Sequence, residues 1–171
     1  MKKIAYAAGI IFFAVSVFLI QQARTLEIGG TNPNLLLIFL LLYSHYWRIP
    51  FRFALALSIP LQILFVFAFP FFAVWSGIVL LLFLVSSRFG GKVTGNRMID
   101  FLVILFVGSI LFYLFSELAS NVAQFGVNFG SFFFSRFTLF LKEVGYNLVM
   151  GILGWILFQK IIPIRRRISE I

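Results

Sequence analysis

Residues 53–87 read FALALSIPLQILFVFAFPFFAVWSGIVLLLFLVSS. No charged residue interrupts these 35 positions. A membrane crossing needs about 20 mostly apolar residues, so the run is far too long for one. Pro70 divides it. Proline lacks an N–H and disfavours helix in the residue before it. Phe69-Pro70 therefore reads as a tight turn between two antiparallel helices rather than a kink in one.

Working outward, four more apolar stretches appear. The full set is roughly 4–20, 35–47, 53–69, 71–87, 101–119 and 144–162. The second is short for a span, so it either tilts or begins before Pro33. Lys2, Lys3, Arg48, Arg52, Arg88, Lys92, Arg97, Lys160, Arg165, Arg166 and Arg167 then share one side, leaving Arg24, Arg136 and Lys142 on the other. Short cytoplasmic loops carry such an excess of Lys and Arg. The expectation is an all-α, polytopic membrane protein. Six transmembrane helices form one bundle over residues 1–171, with both termini cytoplasmic.

Composition agrees. Hydrophobic residues make up 62% of the chain and charged residues 11%. Soluble domains run about half apolar and a quarter charged. The net charge of +9 is explained by the loop asymmetry, without a nucleic-acid partner. Arg165, Arg166 and Arg167 are fewer than a dedicated lipid-binding cluster holds. The chain has no cysteine, which excludes disulfides, thiolate metal sites and a cysteine nucleophile. Lys2-Lys3 followed by an apolar run resembles a secretory signal, but Gln21-Gln22-Ala23-Arg24 is a poor cleavage site. A retained first helix is expected.

One segment differs from the spans. Gln124, Asn128, Ser131, Ser135, Thr138 and Lys142 recur at steps of four and three, among Phe125, Phe129, Phe132, Phe133, Phe134, Phe137 and Phe140. A polar stripe of helical period beside aromatics describes an amphipathic helix in the interface. A short interfacial helix over 131–142, separate from the last span, is expected. The alternative is a helix whose polar stripe faces a partner.

Catalytic templates are missing: no H-E-x-x-H, P-loop, G-x-S-x-G or spaced carboxylate cluster occurs. The expectations are no enzyme, no cofactor and no metal site. His45, the single histidine, reads as part of an interfacial aromatic belt with Tyr43, Tyr46 and Trp47. Asp100 opens the fifth span near Arg97, where the helix dipole favours a carboxylate. Glu117 lies near the outer end of that span, either snorkelling to the interface or contacting another helix or subunit. Gln62 follows Pro60 by two and bonds either to freed carbonyls or across helices. Gly151 and Gly154, with Asn147 four before the first, offer a close-approach surface on the last span, as Ala5, Ala8 and Gly9 do on the first.

Two stretches carry a resemblance. Gly30-Thr31-Asn32-Pro33-Asn34 runs into Leu35-Leu36-Leu37-Ile38, and Tyr146-Asn147-Leu148 leads through Trp155-Ile156-Leu157-Phe158 to a basic tail. Both resemble the bacterial rod shape-determining protein MreD family, in order and spacing across nearly the whole chain. That family commonly has a Gly-rich third span ending in an aspartate, whereas here 57–71 holds no acidic residue. The resemblance implies a non-enzymatic scaffold of peptidoglycan synthesis and cell shape in the bacterial inner membrane. It also implies MreC and other elongation-complex proteins as partners beside membrane lipids. Asn34, Glu117, Asn147, Gly151 and Gly154 are the candidate interaction or structural positions. The competing expectation is a substrate-binding component of an energy-coupling-factor uptake transporter. It shares the hydropathy but needs convergent polar groups in an apolar pocket.

Overall fold

The computed structural model describes residues 2–28, 31–47, 49–68, 73–89, 92–123 and 129–161. Six helices account for most of them: α1 (Lys2–Gln22), α2 (Leu35–Trp47), α3 (Phe51–Ala68), α4 (Ala73–Phe89), α5 (Arg97–Ala123) and α6 (Phe129–Ile161). No strand is present among the described residues. The run 53–87 is divided into two helices, α3 and α4, which pack on each other. The Pro70 turn itself lies outside the described residues.

α2 is the central helix, packing against α1, α4, α5 and α6. Of residues 36–45, all but Phe39 are buried. Its 13 residues are thus largely enclosed by the other helices. The surrounding helices alternate instead. On α5, Phe101, Leu105, Ser109 and Tyr113 recur every four residues and are buried, while Val103, Phe106, Val107 and Leu114 are exposed. On α6, Val144, Asn147, Gly151 and Trp155 face inward, with Val149, Leu153 and Leu157 outward. Both faces are apolar. The outward surface carries large apolar side chains, with Phe12, Ile28, Phe67 and Val74 each more than 60% exposed.

Three helices, rather than the six expected, are long and apolar enough to cross a membrane among the described residues: Phe51–Ala68, Arg97–Phe115 and Phe137–Lys160. The apolar parts of the other three, Ala7–Gln22, Leu35–Tyr46 and Val74–Phe89, are shorter. Such lengths and composition are those of a helical membrane protein.

The separate interfacial helix does not form. Residues 131–142 belong to α6, one continuous helix of 33 residues. At 1.5 Å per residue it extends about 50 Å, well beyond a hydrocarbon core of about 30 Å. No proline occurs from 129 to 161, so nothing interrupts its backbone hydrogen bonds. The aromatic positions also hold it to the bundle: Phe140 packs on Tyr113 of α5 with ring centroids 4.8 Å apart. Thr138 and Lys142 are exposed as the stripe requires. Gln124 and Asn128 lie outside the described residues, as do the side chains of Ser131 and Ser135.

Candidate functional site

The first N–H groups of a helix have no partner within it, and in an apolar bundle water does not supply one. At the start of α2 side chains do so. Asn34 is the N-cap: its Oδ1 accepts from the Leu37 N–H at 3.1 Å. The Leu36 N–H donates to Gln21 Oε1 of α1 at 3.1 Å. The N–H of Asn34 itself donates to Asn147 Oδ1 of α6 at 2.7 Å, across 113 residues of sequence. Asn147 Nδ2 then donates to Ser109 Oγ of α5 at 3.0 Å. Two further bonds hold the approach: Asn32 Nδ2 to Gln21 O at 2.5 Å, and Tyr146 Oη to Leu26 O at 2.7 Å. Asn34, Asn147 and Ser109 are all buried.

Carboxamides suit this place because each carries donors and acceptors without a charge to desolvate. Asn147 uses both ends, so its orientation is determined by its partners. α1, α2, α5 and α6 are thereby tied at one level.

The same face of α6 continues inward through small residues. A Cβ at Gly151 would collide with the Leu105 side chain and meet Phe101 at 3.3 Å. At Gly154 it would stand 2.6 Å from Leu42 Cδ1. The two glycines thus bring α6 against α5 and α2. Trp155 closes the seam, stacking on Phe101 at 5.4 Å and meeting Tyr46 edge-on at 6.2 Å.

Of the five candidate positions, Asn34 and Asn147 are in direct contact, and Gly151 and Gly154 lie on the same seam. Glu117 is on α5, but its side chain lies outside those described. Gln21 and Ser109 were not singled out by sequence reasoning. Asn34 ahead of a leucine run was a readable N-cap signal. Nothing local marked Gln21 or Ser109 as its associates.

A cavity of about 240 Å³ adjoins this network, lined by Gln21, Gln22, Asn34, Trp75 and Ser76 among others. Asn34 Nδ2 is buried there without a protein hydrogen-bond partner. Gln62 bonds across helices: its Oε1 accepts from Ser76 Oγ of α4 at 3.1 Å.

Two polar residues toward the other end of α2 are more enclosed than their positions in the sequence suggest. His45 is 2% exposed, enclosed by the bundle rather than presented on its surface. Its Nδ1 lies 3.0 Å from Leu41 O and 2.8 Å from Ser86 Oγ, and Ser86 Oγ donates to Ser44 Oγ at 2.9 Å. A carbonyl only accepts, so the Nδ1 hydrogen is directed at Leu41. Its ring lies edge-on to Phe101 at 5.8 Å. Burial follows from α2 being enclosed, which hydropathy does not reveal. Asp100 is buried as well. It accepts from the N–H groups of Val93 at 3.1 Å and Thr94 at 2.9 Å, and from Thr94 Oγ1 at 2.6 Å. It stands in the first turn of α5, as expected, and clamps the preceding loop as well. Asn96 caps α5 through the Met98 N–H at 3.0 Å.

Among the described residues no three potential metal-ligating side chains come together. No known protein family, curated protein or solved structure matches this chain.

Proposed function

We propose that this chain is a six-span, non-enzymatic scaffold of the bacterial cell-elongation apparatus, in the inner membrane with both termini cytoplasmic. It would support peptidoglycan synthesis and cell shape in the manner of MreD, with MreC among its partners. The observation that carries the reading is the Asn34–Asn147 hydrogen bond. The two separate stretches that resemble MreD meet in space through these residues, so the resemblance corresponds to one structural unit. α2 ends enclosed by protein and α5 and α6 run long, which suits a rigid body offering an extended outer surface. Six spans follow if α1, α2 and α4 cross as short helices with local thinning of the bilayer beside the three longer ones.

A second reading has one observation in its favour. The cavity beside Gln21, Gln22, Asn34 and Ser76 is the convergence of polar groups that an uptake component needs. Co-purification from detergent separates the two. Recovery of MreC with the tagged chain is the expected result. Recovery of an ATPase module instead would replace the scaffold with the transporter component.

A further inference from the structure

At the end of the bundle away from the Asn34 cap, α2, α4 and α5 border a second cavity, of about 480 Å³. Its lining includes Ser44, His45 and Ser86, all buried, together with Arg88, Lys92 and Arg97. Arg88 stands in the last turn of α4, and Arg97 is the first residue of α5. Lys92 lies between them, its N–H donating to Phe89 O at 2.9 Å. Residues 93–95 of the connecting loop are held in place. Asp100 grips the Val93 and Thr94 amides, and Gly95 takes a φ of +77°, which a side chain would strain. Three cationic residues therefore line one cavity.

Among the described residues their charge is not answered by an ion pair: no carboxylate pairs with Arg88, Lys92 or Arg97. Asp100, the neighbouring acid, is 1% exposed and its two oxygens accept the loop amides and the Thr94 hydroxyl. Three positive charges against one buried negative leave the cavity cationic. The Ser44 and Ser86 hydroxyls add neutral polar groups to the lining. Guanidinium and ammonium groups around a polar cavity match a phosphate, through charge-assisted hydrogen bonds.

We propose that this cavity binds a phosphate group, and that its source is the headgroup of an anionic phospholipid. The lipid source rests on the membrane reading above, which places this basic end at cytoplasmic headgroup depth. Basic pockets between membrane helices on that side take anionic headgroups.

The full chain, stripped of lipid in detergent, is placed in phosphatidylcholine nanodiscs with or without phosphatidylglycerol. Retained lipid is counted by native mass spectrometry. Wild type is expected to prefer phosphatidylglycerol, with each cation contributing a factor of about five. Arg88→Gln and Lys92→Gln each lower the preference, and the triple variant with Arg97→Gln abolishes it. Arg24→Gln, beyond the end of α1 that meets the Asn34 cap, leaves it unchanged. A parallel arm adds excess inorganic phosphate. Displacement of phosphatidylglycerol, with thermal stabilisation of wild type but not of the triple variant, supports the cavity and makes the ligand a soluble phosphate. Retention unaffected by phosphate supports the lipid headgroup. Equal retention by wild type and triple variant, with no selective effect of phosphate, overturns the proposal. If the triple variant fails to fold, the two exposed single substitutions carry the same comparison. Failure of the wild type to enter nanodiscs removes the membrane reading alone, because the phosphate arm still tests the cavity in solution.

Discussion

The two ends of α2 are solved by different chemistry. At its start, uncharged carboxamides join segments far apart in sequence: Asn34 to Asn147 and Leu36 to Gln21, with Asn147 passing on to Ser109. Toward its other end Ser86 of α4 reaches Ser44 and His45, and the charged Asp100 closes a loop six and seven residues earlier. The carboxamides hold four helices together, and Asp100 shapes a loop. The difference teaches where damage spreads. A lost long-range bond leaves buried groups on two helices without partners, whereas a loosened loop at the surface is rehydrated.

The strongest test of that contrast is Gly151→Val. The added side chain enters space occupied by Leu105 and Phe101, and forces α6 off its seam with α5. Overpacking of this kind costs about 2–3 kcal/mol, to be measured as lost thermal stability in detergent. An unchanged melting temperature would show that α6 does not approach as closely as the glycines permit. Next comes Asn147→Leu, which strands the Asn34 N–H and the Ser109 hydroxyl together. A loss of about 2 kcal/mol is expected. Asn34→Ala should cost only about 1 kcal/mol, because the bond to Asn147 is donated by the Asn34 backbone. Equal effects of the two would erase the distinction between bridging and capping. The smallest effect is expected at Asp100→Asn. Val93 and Thr94 are exposed, so their amides find water and global stability falls by about 1 kcal/mol or less. Hydrogen exchange at those two amides should nevertheless rise markedly, with that of the Leu36 and Leu37 amides unchanged. Acceleration at both ends of α2 would mean that the loop and the cap act as one unit.

Much of the fold was readable from local pattern. α2 has the bounds expected of it, 35–47. The division of 53–87 followed from proline chemistry and from the count of basic residues. Each of these depends on neighbours in sequence, which is why a single chain reveals them. The break before the last span failed for the opposite reason. A polar stripe among phenylalanines fits an isolated interfacial helix and the first turns of a longer one equally well. Packing of Phe140 on Tyr113 chose the second.

By itself the sequence determined an all-helical chain with apolar segments and a cationic end, because composition, periodicity and proline act over a few residues at a time. It also marked Asn34, Asn147, Gly151 and Gly154 individually. Tertiary structure decided that Asn34 and Asn147 are one site, that His45 is buried, and that Arg88, Lys92 and Arg97 share a cavity. These depend on which helix faces surround α2. With apolar residues on both inward and outward faces, hydropathy does not distinguish them. The few polar groups that had to find partners away from water do, and their bonds join residues up to 113 positions apart.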